Sequence, residues 1–169
     1  VWDTLYGWDD QLVAQPQMVE GHVVANDGLQ WDLTLRAGQT FHDNAPVLAK
    51  DCVASLRRWG RRDTFGAAMM TVVDEISAPD DRTIRFRLKR PFPLLPEALG
   101  KAGSNGCFMM PQRIAATDAF QQIAEIVGSG PFRYVASESV SGALDVYARF
   151  PGYVPRSGGT PSFIAGPKL

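Results

Sequence analysis

The stretch DGLQWDLTLRAGQTFHDNAP, residues 27–46, decides the fold class of this chain. Asp27-Gly28 is a strong turn pair, because glycine tolerates positive φ, and it separates Val23-Val24-Ala25 from the run 29–36. In that run Leu29, Trp31, Leu33 and Leu35 alternate with Gln30, Asp32, Thr34 and Arg36, which turns one apolar face inward and one polar face outward. The pattern predicts a β-hairpin whose second strand is half buried. Ala37-Gly38 then turns the chain, Phe41 is placed to re-enter the core, and His42-Asp43-Asn44-Ala45-Pro46 reads as a second tight turn. Asn44 suits the left-handed backbone region that such a turn requires.

Downstream, an amphipathic helix is predicted over residues 49–59. Cys52, Val53, Leu56 and Trp59 form its apolar stripe, Lys50, Asp51, Arg57 and Arg58 flank it, and Gly60 is the expected stop. A short helix over 64–71 follows, then a second hairpin from Val72-Val73-Asp74-Glu75-Ile76 through the turn Ala78-Pro79-Asp80-Asp81 to a strictly alternating strand 83–89. The outward row of that strand, Arg85, Arg87 and Lys89, reads as a solubilising face. Pro93 is expected to open a helix reaching Lys101, and 101–106 is a small, polar loop. Residues 114–127 carry helical spacing at Ile114, Phe120, Ile123 and Val127, with a break near Asp118. A third pair of strands is predicted at 132–135 and 144–150, and the Pro-, Gly- and Ser-rich tail 154–169 is expected to hold little regular structure. Adjacent hairpins with interspersed helices give an α+β, or mixed α/β, class: a hairpin-rich antiparallel or mixed sheet with flanking helices.

Composition narrows function. An apolar fraction of 45% over 169 residues supports one packed domain, and a net charge of −1 offers no broad field to attract nucleic acid or anionic lipid. No apolar run approaches the roughly 20 residues that span a bilayer. No signal peptide opens the chain, and starting at Val1 suggests a processed protein or a piece of a longer one. Two cysteines, Cys52 and Cys107, are too few for a disulfide framework or a zinc site; buried free thiols are the default, and a bridge stays open in an oxidising compartment. His42 beside Asp43, with His22 in the first hairpin, is the best constellation for a general base. No nucleophile elbow, zinc-protease helix or phosphate loop accompanies it, so these residues read as turn formers, and neither catalytic residue, metal nor cofactor is assigned.

The 27–46 stretch together with the helix ending Ser55-Leu56-Arg57-Arg58-Trp59 resembles the signature of the family 5 extracellular solute-binding proteins, the peptide, oligopeptide and nickel receptors of ABC importers. Further segments resemble the family in order: Val1-Trp2-Asp3-Thr4-Leu5-Tyr6-Gly7-Trp8, Gln15-Pro16-Gln17-Met18-Val19-Glu20, Ala78-Pro79-Asp80-Asp81-Arg82-Thr83, Leu88-Lys89-Arg90-Pro91-Phe92-Pro93, Gly128-Ser129-Gly130-Pro131-Phe132 and Arg149-Phe150-Pro151-Gly152-Tyr153. Asn44, where the family usually has Gly, Leu48, where Ser or Thr would cap the helix, and Ser129, where Thr is usual, depart from it.

The resemblance implies a two-lobed periplasmic binding protein of type II fold. Residues 1–153 would form part of its N-terminal lobe, including the small accessory domain, as a piece cut from a longer protein or a truncated product. It implies a non-catalytic receptor, periplasmic or extracellular and lipid-anchored or secreted. Such a receptor captures a small solute (peptide, nickel chelate, opine or oligosaccharide) by closing a second lobe and delivers it to an ABC transporter permease. The family's contact loop corresponds to Arg61, Arg62, Asp63, Thr64 and Phe65, so Arg62 and Phe65 are the first candidate contacts, with Arg61 beside them and Asn105 on the cleft rim. Arginine offers a fixed fork for a carboxylate and phenylalanine a flat apolar contact. Taken without the resemblance, Arg57, Arg58, Arg61 and Arg62 are a solvated charge run and Phe65 a core residue. The alternative function is an interaction or sensing module derived from the same fold.

Overall fold

The computed structural model describes residues 1–101, 103 and 105–156. Strands β1 (Asp3–Thr4) and β2 (Tyr6–Trp8) open the chain, and β2 pairs antiparallel with β3 (Ala14–Pro16). Next come β4 (Val19–Ala25) and β5 (Gln30–Leu35), the predicted first hairpin. Its turn is a 3₁₀ segment in which Asn26, Asp27 and Gly28 all have positive φ, so the turn chemistry predicted from Asp27-Gly28 extends one residue further back. Helices α1 (Ala49–Arg62) and α2 (Thr64–Val72) lead to the second hairpin, β6 (Val73–Ser77) and β7 (Thr83–Leu88). After α3 (Leu95–Leu99), strand β8 (Phe108–Met109) returns to pair with β1. Helix α4 (Gln112–Ala115) follows, and β9 (Phe132–Tyr134) with β10 (Tyr147–Arg149) forms the third predicted pair, shorter than expected.

The two central hairpins join through β5 and β7 into one antiparallel sheet of order β4-β5-β7-β6. Alternation sets its inner face: Trp31, Leu33 and Leu35 on β5 and Ile84, Phe86 and Leu88 on β7 are buried. The stripe of α1, Cys52, Val53, Leu56 and Trp59, belongs to the same core. On the outer face, two members of the basic row, Arg85 and Arg87, are paired with acids of neighbouring strands or their ends. Arg85 stands opposite Asp32 and donates Nε and Nη2 to its two carboxylate oxygens at 2.7 Å each, while Arg87 meets Asp74 and Glu75.

Several predicted boundaries move, each for a packing reason. Gly60 does not end α1, which runs on to Arg62; a side chain at Gly60 would meet Met70 of α2 at 2.6 Å, so this glycine serves the close approach of two helices. Leu48 at the start of α1 gives no side-chain cap, yet Asp51 Oδ2 accepts the Leu48 N–H at 2.9 Å and Oδ1 accepts the Gln112 N–H at 2.8 Å. Asn44 takes φ 66°, the left-handed conformation that favours glycine at this position. Helix α3 spans only Leu95–Leu99 of the predicted 93–101. The largest difference is the helix predicted over 114–127. Only Gln112–Ala115 is helical, because Asp118 Oδ1 takes the Phe120 N–H in a local turn, and Phe120 and Ile126 are left exposed. Cys52 and Cys107 are buried free thiols, and burial pushes both well above the usual thiol range. Residues 154–156 are irregular, with Val154 and Pro155 carbonyls accepting from Arg36; the rest of the predicted tail lies outside the described residues.

Candidate functional site

The end of α1 and the start of α2 meet at Asp63, a buried carboxylate. It accepts the Gly66 N–H at 2.9 Å, capping α2, and ion-pairs with Lys101. Burial on its own would raise this carboxyl, but the Lys101 ammonium and the Gly66 amide outweigh it and hold the group below the usual carboxylate range. One turn earlier, Trp59 Nε1 donates to the Asn105 carbonyl at 2.7 Å, with Asn105 itself at φ 56°. The loop between α3 and β8 is therefore fastened to the helix junction at both ends, by Lys101 and by Asn105.

A second segment is drawn to the same place. Arg58 Nη1 donates to the Thr117 carbonyl and hydroxyl at 2.8 and 3.0 Å, and Nη2 donates to the Gln121 carbonyl at 2.9 Å. The planar guanidinium spans the turn that carries Phe120. Its ring lies 5.4 Å from the Arg62 guanidinium carbon and 5.7 Å from that of Arg61, within cation–π range for each. Between these segments opens a pocket of about 450 Å³ whose walls include Trp2, Trp59, Arg62, Asn105, Phe108 and Phe120.

Two of the four sequence-predicted residues, Arg62 and Asn105, thus line one pocket, and Arg61 flanks it over the Phe120 ring. Phe65 stands apart: it is half buried, packed against the core and edge-on to Phe92 with centroids 6.4 Å apart. Ser104 of the predicted rim lies outside the described residues. Sequence reasoning missed Phe120, which it assigned to a helix stripe, and Arg58, which it grouped with a solvated run. The one available signal was Asp118, whose turn-forming side chain interrupts the helical spacing.

The His–Asp pair does not assemble. His42 Nδ1 accepts the Gly128 N–H at 3.3 Å and Nε2 lies 2.9 Å from the Gly130 carbonyl, so the neutral ring clasps the Gly128–Pro131 loop. Desolvation lowers its pKa, consistent with that neutral form. Asp43 turns instead to the Ala45 N–H and to Arg113. His22 meets the Tyr6 hydroxyl at 2.6 Å and stacks near Trp31. Among the described residues no group of three His, Cys, Asp or Glu side chains could hold a metal ion, and no helix is long and apolar enough to cross a membrane. What the pocket offers is a guanidinium fork, backbone groups and aromatic walls, a set suited to holding an anionic or amphipathic solute.

Known proteins resemble this chain along most of its length. The profile of the bacterial extracellular solute-binding proteins, family 5 middle region, matches residues 13–164. A probable peptide ABC transporter periplasmic-binding protein of Sinorhizobium fredii is 38% identical over 168 residues, covering 99% of this chain and 31% of that protein. A glutathione-binding protein of Pectobacterium atrosepticum is 27% identical over 135 residues, covering 78% of this chain and 26% of its own length. Among solved structures, NikA of Brucella suis in complex with Fe(III)-EDTA superposes with a TM-score of 0.78 at 18% identity, over 97% of this chain and 32% of that one. The binding protein AgaA of A. tumefaciens in complex with agropinic acid gives 0.74 at 24% identity, over 90% and 30%. This chain spans under a third of the length of these curated relatives, and its α+β architecture is that of the matching part of the periplasmic binding proteins. By the extent of the profile match and the identity to its relatives, the chain belongs to family 5 of the bacterial extracellular solute-binding proteins.

Proposed function

We propose that this chain is part of the solute-binding component of an ABC importer, acting in the periplasm or outside the cell without catalysing a reaction. Residues 1–153 supply part of the N-terminal lobe and its accessory domain; a second lobe closes over the solute, and a transporter permease receives it. Closure follows from differential contact, because a ligand that touches both lobes favours the closed state by the interactions absent from the open one. The solute is a peptide or another small molecule bearing a carboxylate, in keeping with the peptide-binding relative. Arg62 holds the carboxylate, Arg61 reinforces the charge and Asn105 contributes from the rim, while Phe65, outside this pocket on the first turn of α2, adds an apolar contact to the part of the solute that extends past it.

One observation carries this reading: Arg62 lines the pocket beside Asn105 with its ring contact to Phe120 and, among the described residues, with no acid or carbonyl bound to its fork. The test is a thermal-shift screen of the protein expressed from its complete gene against peptides, nickel chelates, opines and oligosaccharides. A ligand at 100 times its dissociation constant stabilises by about 2.7 kcal/mol, a shift of several degrees. A carboxylate-bearing solute is expected to raise the melting temperature, and R62A to abolish the rise. Equal shifts in the wild type and R62A would remove Arg62 from the site, and a screen without any shift would remove the capture function.

A further inference from the structure

Phe120 is 64% exposed, yet two cations converge on its ring. A lone exposed phenylalanine is ordinary on a protein surface. This one sits on a turn that a third arginine, Arg58, fixes by three hydrogen bonds and that Asp118 closes through the Phe120 N–H. Asp63, which follows Arg62 in sequence, is engaged with Lys101 and the Gly66 amide, and Asp118, two positions before Phe120, with its own turn. Among the described residues, the Arg61 and Arg62 side chains form no hydrogen bond or ion pair. Two like charges thus share one aromatic ring with no counter-ion among the described residues, and a guanidinium that engages a ring through its π face keeps its N–H groups for a ligand.

Resting on the capture function above and extending it, we propose that Phe120 is a specificity-determining residue. It presents Arg61 and Arg62 as a paired guanidinium receptor for a solute with two neighbouring carboxylates, such as a peptide ending in an acidic residue. Two anionic groups match the two cations, and each guanidinium can take a carboxylate in bidentate fashion. A neutral amide in place of one carboxylate leaves one guanidinium without its anion. Discrimination is then built into the pocket by a residue that contributes an aromatic face and no charge.

The probes are the dipeptides glycyl-aspartate and glycyl-asparagine, titrated into the protein expressed from its complete gene and followed by NMR through the indole N–H signals of Trp2 and Trp59, both of which line the pocket. Glycyl-aspartate is expected to bind several-fold more tightly. Because Phe120 is exposed, F120L leaves the core intact; it should cut glycyl-aspartate affinity about two- to five-fold, the worth of one exposed cation–π contact, while F120Y retains it. F120L binding like the wild type while R62A loses the ligand overturns the role of Phe120 and leaves the capture site standing. Equal affinity for the two dipeptides in the wild type overturns the paired receptor. Silence of both indoles toward both dipeptides overturns the paired receptor, while the capture function stands or falls with the thermal-shift screen.

Discussion

In the four-stranded sheet, side chains from successive strands bury one another: Trp31, Leu33 and Leu35 lie against Ile84, Phe86 and Leu88 and the stripe of α1. In the segment from 116 to 131, by contrast, polar side chains from outside it hold the chain at several points. Arg58 grips Thr117 and Gln121, Arg113 pairs with Glu125, and His42 clasps Gly128 and Gly130. The two regions differ in the size of each contribution. A buried Leu, Ile or Phe is worth about 1.5–3 kcal/mol, whereas a hydrogen bond nets about 0.5–1.5 kcal/mol. The sheet is therefore the stable frame, and the polar-clamped segment is the part whose position a few side chains decide.

Phe86→Ala challenges the frame and should have the largest effect. The ring is fully buried on β7, opposite Trp31, and its removal leaves a cavity beneath α1. About 3–5 kcal/mol of global stability should be lost in denaturant titration, with every region losing protection together. A loss below about 1 kcal/mol would mean that the sheet is not the common core of the chain.

His42→Ala challenges the clamp with an intermediate effect, about 1–2 kcal/mol, expressed at the Gly128–Pro131 loop. That loop approaches the start of the chain so closely that a Cβ on Gly128 would stand 2.3 Å from the Val1 carbonyl oxygen. pH gives an independent handle. Burial depresses the His42 pKa, so the neutral ring is the form favoured by folding. Its contribution is complete above the ordinary histidine value of about 6.5 and is lost as the pH falls through the lower folded value. Amide exchange at Gly128, which donates to Nδ1, should quicken below that pH after correction for intrinsic rates, and H42A should remove the dependence. An unchanged profile in H42A would assign the titration elsewhere.

The same contrast explains what the sequence could reveal. Period-two alternation records which face of a strand is buried, so β5 and β7 were legible as half-buried strands from Leu33, Leu35, Ile84 and Phe86, whereas their pairing, which joins the two hairpins into one sheet, was not. The stripe on α1 was legible for the same reason, and Asn44 was recognisable as a left-handed turn residue. Segment 114–127 misled because Phe120 and Ile123 fall at helical spacing while nothing local records that Arg58, some sixty positions earlier, binds the turn around them. For the candidate site, Arg61, Arg62 and Asn105 came from the family resemblance, and the pocket unites Arg62 with Asn105. Phe120 and Arg58 entered only through long-range contacts, which a pattern of local spacing does not contain.

The smallest stability effect, and the sharpest test of the contrast, belongs to Arg58→Lys. Arg58 lies on the solvent side of α1, half-buried, and its bonds to Thr117 and Gln121 are exposed, so the global cost should stay below about 1 kcal/mol. Lysine keeps the charge and much of the aliphatic stem but concentrates its donors at one point, and it cannot reach the Thr117 carbonyl, the Thr117 hydroxyl and the Gln121 carbonyl together as the guanidinium does. The turn around Phe120 should loosen while the sheet remains unchanged. Side-chain NMR should then show weaker contacts between the Phe120 ring and the Arg61 and Arg62 side chains, with sheet amides unshifted. If those contacts persist in R58K, the ring is held by the two arginines themselves, and the clamp is a consequence of the pocket instead of its cause.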